Sequence, residues 1–260
     1  MPDLNDIPAA LFAFLLFFAL QVAIQLGFKA GRKLEFAVWD KLNRAFFSVT
    51  GATLALLGLL LAFSFSMAVS RYEARKVVVL MEANAIGTAW LRTDFLQPGP
   101  SQTVRQLLRD YVKTRIEYHD SAAETQKSQE FISQAKDIQD RIWAVAAVMG
   151  NYREPQQSTH FSALTEAVIA MGSVRNERRY AIENQVPSSV IALLMIITLQ
   201  AAALTGFAFG ANNRRLRLAL IGFPLLLSLV IYTILDLDRP TRGWIVVDQV
   251  PMLALEASLK

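Results

Sequence analysis

Four stretches of this chain each run for roughly 20 residues with no charge, or with a charge only at the rim. They are about Ile7 to Phe28, Phe46 to Val69, Val186 to Phe209 and Leu216 to Leu235. Nothing else limits the fold so severely. Such runs match the roughly 20 apolar residues that a helix needs to cross a bilayer. In lipid the backbone must satisfy its own hydrogen bonds, and a helix does this within one segment.

Composition agrees. Hydrophobic residues make up 53% of the 260, and charged residues 18%, against about 25% in ordinary globular chains. Mean hydropathy is +0.33, which points to a membrane protein with a polar part outside the lipid. There is no cysteine, so disulfides, thiolate metal sites and cysteine nucleophiles are excluded. The first span follows Asp3 and Asp6 rather than a basic segment, and it is too long for the apolar part of a signal peptide. Pro187 stands where a helix start tolerates proline. Pro224 lies inside the fourth span and predicts a kink unless packing satisfies the carbonyl it frees.

Ser70 to Gln185 reads as helical throughout. Val104, Leu107, Leu108, Tyr111, Val112 and Ile116 form one apolar stripe, preceded by the turn signal "QPGP" and by Ser101 as an N-cap. Phe131, Ile132, Ala135, Ile138, Ile142 and Trp143 form a second stripe, which Gly150 ends. "NYREPQQST" is a polar loop, and a further helix from about Phe161 feeds into the third span. No strand pattern or repeat is visible. The fold class is an all-α membrane protein, with four transmembrane helices and a helical water-facing domain inserted between the second and third. The expected divisions are 1–69 and 186–235 for the two transmembrane pairs, 70–185 for the helical domain and 236–260 for a tail.

No proline interrupts Ala45 to Arg92, so one helix of roughly 70 Å is expected, the first part in lipid and the rest a stalk. On its wheel Leu59, Phe63, Ser66 and Ser70 share one stripe, and Arg71, Arg75 and Glu82 share another. Glu82 and Asn84 stand in the apolar run "VVVLMEANAIG". A carboxylate there needs a partner, with Arg75, Arg92 or a neighbouring subunit as candidates.

"LLAFSFSMAVSRYEARKVVVLMEANAIGTAWLR", Leu60 to Arg92, resembles the second membrane helix of the bestrophins, with Ala62, Phe63, Arg71 and Tyr72 at the matching positions. "SRYEAR", "EANAIGT" and the tail "LDLDRPTRGWIV" resemble the bacterial bestrophin-like membrane family more closely. The resemblance covers the whole layout. It implies an oligomeric channel, usually a pentamer, that passes small inorganic ions along an axis lined by the second helix. Carried over by position, the apolar neck is Ala55, Leu59 and Phe63. Ala55 is smaller than the usual neck residue, and Ala62 replaces the usual glycine. The family's acidic calcium cluster is reduced to Asp236 and Asp238, too few for an ion that takes six to eight oxygens, so no calcium gating is expected.

Plainer readings stand beside these. Phe63, Phe65 and Met67 also suit lipid contact or helix packing, and Ser64, Ser66 and Ser70 suit close helix approach. Arg71, Arg75 and Lys76 also suit interfacial anchoring to lipid headgroups. A membrane-anchored scaffold or signalling protein, whose helical domain binds a partner without any pore, is the alternative function. His119 and His160 stand in polar surroundings, and no hydrolase, phosphate-loop or metal motif occurs. No enzyme activity, cofactor or metal is expected. The basic cluster Asn212 to Leu218 suits anionic lipid and is too short for nucleic acid. Basic residues are equal in number on the two sides, and their density favours cytoplasmic short loops. Following the resemblance, the termini and helical domain are placed in the cytoplasm of a bacterial inner membrane.

Overall fold

The computed structural model describes residues 8–120, 125–149, 155–213, 217–240 and 243–259. Among them are eight α-helices and one 3-10 turn, and no strand. The helices are α1 (Ala9–Arg32), α2 (Phe36–Arg92), α3 (Pro98–Asp120), α4 (Thr125–Met149), α5 (Pro155–Glu183), α6 (Ser188–Ala211), α7 (Arg217–Asp238) and α8 (Val250–Ser258). Among the described residues four segments are long and apolar enough to cross a membrane, and each overlaps one of the four uncharged stretches. Asp3, Asp6, Gly150, Arg214 and Arg215 lie outside the described residues.

Helix α2 is a single element of 57 residues, about 85 Å long at 1.5 Å per residue. It contains the helix expected from Ala45 to Arg92 and begins nine residues earlier, at Phe36. "EFAVWDKLNR" offers no glycine or proline to delay it. Three other expectations need correction. The "QPGP" stretch does not precede α3 but supplies its first turn, where proline is tolerated. Ser101 is therefore inside the helix, and its hydroxyl donates to the Thr93 carbonyl at 2.9 Å rather than capping. The third helix of the polar block begins at Pro155, ahead of Phe161, and does not run on into the third span. Residues 184–187 are non-helical, because Pro187 disfavours a helical Val186 before it. The tail carries a helix of its own, α8.

The chain divides into two compact units. The first comprises Met1–Ser70, Gln185–Arg239 and Gly243–Ile245. Its core gathers Leu16, Leu20 and Ile24 of α1, Leu57 of α2, Leu194 and Ala201 of α6, and Leu227 and Ile231 of α7. Helices α1 and α6 run parallel along a glycine seam. A Cβ at Gly27 would strike the Ala203 carbonyl, and one at Gly31 the Phe207 carbonyl. Reciprocally, a Cβ at Gly206 would strike the Ile24 carbonyl, and one at Gly210 the Phe28 carbonyl. Each helix thus carries a G-x-x-x-G that lets backbones touch, which is how helices without a hydrophobic drive between them gain packing energy in lipid.

The expected fault at Pro224 is answered in this unit. Proline inside α7 removes the N–H that would bond the carbonyl of Leu220. The Gln21 side chain of α1 donates Nε2–H to that oxygen at 3.2 Å. Trp39 donates to Asn212 Oδ1 at 3.2 Å and meets Phe46, Phe47 and Phe207 edge-on, an aromatic cluster at the C-terminal end of α6.

The second unit comprises Arg71–Asn184, Pro240–Arg242 and Val246–Lys260. The α3 stripe lies where its spacing predicts, with Val104, Leu107, Leu108, Tyr111 and Val112 all buried. They pack on Val79, Ala83 and Ile86 of α2, Ile138 and Ile142 of α4, Leu164 and Met171 of α5, and Met252 of α8.

The Gln21–Pro224 compensation makes a double-variant prediction. Gln21→Leu should cost about 1–2 kcal/mol by orphaning the Leu220 carbonyl. In a Pro224→Ala background the helix regains its own N–H, so the same change should cost much less. Thermal unfolding of the four proteins in lipid nanodiscs reads the coupling; equal costs in both backgrounds would refute it.

Candidate functional site

Where the expected neck residues face follows from the rotation of α2. Within the first unit its buried positions among the described residues are Trp39, Thr50, Leu57, Ser64 and Ala68, which fall within about 20° of one direction at 100° per residue. Ala55, Leu59, Phe63, Ser66 and Ser70 centre roughly 200° away. All five are exposed in the single protomer, Leu59 at 52% and Phe63 at 60%. The stripe therefore points directly away from the face that α2 packs within its own unit. Phe65 is also exposed, at about 160° from Phe63 around the axis. Of Ser64, Ser66 and Ser70, Ser64 is the one turned inward.

The polar residues beyond Ser70 do not gather in one place. Asn84 is exposed, Arg71 is half-buried and Arg75 is buried. Arg71 Nε and Nη1 are shielded from solvent with no hydrogen-bond partner among the described residues. Glu82 is fully buried in the second unit, and its partners correct the sequence expectation. Within the protomer they are Arg115 of α3 and Arg178 of α5, rather than Arg75 or Arg92. Arg115 Nε donates to Glu82 Oε1 at 2.7 Å, and its Nη2 to Oε2 at 3.2 Å. Arg178 Nη1 donates to Oε2 at 2.5 Å, and its Nη2 to Gln249 Oε1 at 3.0 Å. The Tyr111 hydroxyl donates to Oε1 at 3.3 Å. One carboxylate thus joins α2, α3, α5 and the residue that leads into α8.

The electrostatics follow from burial. Burial by itself raises the Glu82 carboxyl, but the charges of Arg115 and Arg178 and the hydrogen bonds from both overcome it. The group is held below the usual carboxylate range. Burial pulls the Arg115 guanidinium down, and the Glu82 charge more than restores it. Burial, reinforced by the neighbouring Glu82 charge, drives the Tyr111 hydroxyl well above its ordinary value and keeps it a donor. Separating either guanidinium from this carboxylate would leave a buried charge exposed to an apolar medium.

Arg115, Arg178 and Tyr111 were not singled out as a site from sequence, although a signal exists. Arg115 follows Tyr111 by four residues and so falls on the apolar stripe of α3. Arg178 continues the buried series Leu164, Val168, Met171 and Val174 of α5 in the same way. Charges on apolar stripes need one another.

Asp236 and Asp238 are both buried, and their oxygens are engaged by backbone. Asp236 accepts from the N–H of Trp244 at 3.0 Å and of Ile245 at 2.9 Å, and Gly243 sits against it with φ of +142°, where a Cβ would strike the carboxylate. Asp238 accepts from the Val186 N–H at 2.9 Å, beside the non-helical step before α6. Among the described residues no cluster of three or more His, Cys, Asp or Glu could hold a metal. The His160 ring stacks on Phe95 with centroids 5.3 Å apart.

With this geometry in place, comparisons locate the chain among known proteins. The family model described as bestrophin-like domain matches residues 7–252. The fold matches the crystal structure of a point mutant of a bacterial bestrophin homologue from Klebsiella pneumoniae. That likeness has a TM-score of 0.58 and 16% identity, and covers 94% of this chain and 98% of the other. None of the curated proteins matches this sequence.

The Glu82 cluster yields a stability prediction. Glu82→Gln leaves two buried guanidiniums around a neutral amide and should cost about 3–5 kcal/mol. The sign with pH is fixed by the lowered carboxyl. Its contribution is complete above the unfolded value near 4.5 and is lost as pH falls toward the lower folded value. Melting curves of the purified protein between pH 7 and pH 3 should fall more steeply for wild type than for Glu82→Gln. Identical profiles would mean that the carboxylate is not paired as described.

Proposed function

The chain belongs to the bestrophin-like family, and from that premise we propose that it is an ion channel of a bacterial inner membrane, formed by several copies around an axis lined by α2. One observation carries the reading. The stripe Ala55, Leu59, Phe63, Ser66 and Ser70 is exposed and lies opposite the face that α2 uses for packing within its own unit. In a cyclic homo-oligomer such a stripe repeats around the axis, and each side chain becomes a ring. Leu59 and Phe63 then make two apolar rings about one turn apart, and Ala55 a wider one. Water is unstable in a narrow apolar ring, so the neck serves as the gate and the resting state conducts poorly. A pentamer is the assembly we propose, with lipid around its rim and small inorganic ions in its pore.

The serines continue the stripe beyond the apolar rings and offer hydroxyls to an ion that has passed them. Glu82 does not take part in the pore in this scheme, since its carboxylate is enclosed by Arg115, Arg178 and Tyr111. Its task is to hold the second unit together. We place the termini and the second unit in the cytoplasm. A reporter fused at Lys260 that is active only in the periplasm would reverse this orientation.

The neck predicts a comparison of two variants. Phe63→Ala in reconstituted liposomes should raise ion flux several-fold, because symmetry removes the bulk from every copy at once. Phe65→Ala removes a similar aromatic area from a different face and should leave flux near wild type. Equal flux in wild type and both variants would defeat the neck assignment, and a monomer by mass measurement in detergent and nanodiscs alike would favour the scaffold reading.

A further inference from the structure

We infer that the second unit binds a phosphoryl dianion in a cleft between α3, α4 and α5. The cleft has a volume of about 110 Å³, and its lining includes Arg115, Lys136, Arg175 and Arg179, with Tyr118 and Asn176. Among the described residues no carboxylate lines it. Four cationic side chains around one concavity repel one another unless an anion joins them.

The existing anions do not meet that need. Glu82 serves Arg115 and Arg178 together, so a single carboxylate already faces two guanidiniums. Arg179 reaches Glu183 at 3.5 Å, but both side chains are well exposed and the pair is weak. Arg175 Nη1 is shielded from water with no hydrogen-bond partner among the described residues. A buried guanidinium N–H without an acceptor is costly, and because Arg175 lines the cleft, a turn of its guanidinium toward a bound oxyanion would supply one.

The chemistry selects the ligand class. Guanidinium groups present paired N–H donors that match two oxygens of a phosphate, and a lysine adds a point charge. The volume accommodates several water-sized groups, enough for a tetrahedral oxyanion. Arg179, Lys136 and Asn176 are exposed, so the cleft opens to the surface and the ligand can enter without unfolding. Arg115 belongs both to this cleft and to the Glu82 cluster, so occupancy adds an anion to the charge set that joins α2, α3 and α5. The phosphoryl group can belong to a free ion or to a lipid headgroup.

The test is thermal unfolding of the full-length protein in detergent, titrated with inorganic phosphate or with dihexanoyl phosphatidic acid, each against sodium chloride at equal ionic strength. A saturable rise in melting temperature beyond the chloride control is expected in at least one arm, and the arm that responds names the source. Arg175→Gln should abolish the rise. Lys136→Gln, on an exposed position that the fold does not need, should weaken half-saturation by about tenfold. A response no larger than chloride in both arms overturns the site, as does a response that survives unchanged in Lys136→Gln and Arg175→Gln.

Discussion

A carboxylate sealed from water among aliphatic side chains is the constraint on which the second unit depends. Glu82 is surrounded by the apolar faces of α2, α3 and α5, and its charge is tolerable only because Arg115 and Arg178 meet both oxygens. The ion set is specific where the apolar core is not. Leu, Ile and Val tolerate sliding and rotation at modest cost, but a two-oxygen, two-guanidinium arrangement fixes the register of three helices at once. Gln249 extends the constraint to the start of α8. The tail is thereby folded into the unit rather than left beside it.

The first unit solves a related problem with fewer charges. Its polar backbone must be satisfied without water, and α7 breaks that rule at Pro224. Gln21 repairs it from α1, the helix whose glycines also let α6 approach to backbone contact. Helix α1 is therefore the centre of this unit: it supplies both the close seam and the replacement donor. Helix α2 turns one narrow face of Thr50, Leu57, Ser64 and Ala68 inward and leaves the opposite stripe uncovered. That asymmetry is what the proposed pore lining requires.

Legibility differed by feature for identifiable reasons. The amphipathic stripe of α3 was readable because its 3.6-residue period is a local property of the chain. The G-x-x-x-G pairs at Gly27 and Gly31 and at Gly206 and Gly210 were equally present in the sequence, yet their meaning depends on each helix facing the other. Glu82 was recognisable as a charge that requires pairing, and Arg75 and Arg92 were expected partners because they are near in sequence. Arg115 and Arg178 are 33 and 96 residues away. The start of α3 is hidden in the sequence because proline and glycine mark turns more often than first turns. Pro187 reads as a helix start, but the break before α6 comes from the restriction that proline places on the residue preceding it.

The sequence by itself determined that this chain is helical, that four of its segments suit a bilayer, and that α2 continues without interruption through Ser70. Those properties come from runs and periods of neighbouring residues, which act before any distant contact forms. The tertiary structure alone decided which charges share Glu82, which carbonyl Gln21 serves, and which cations line the cleft of the second unit. Those outcomes depend on the rotation and offset of helices far apart in the chain, and no local pattern encodes an offset between two helices.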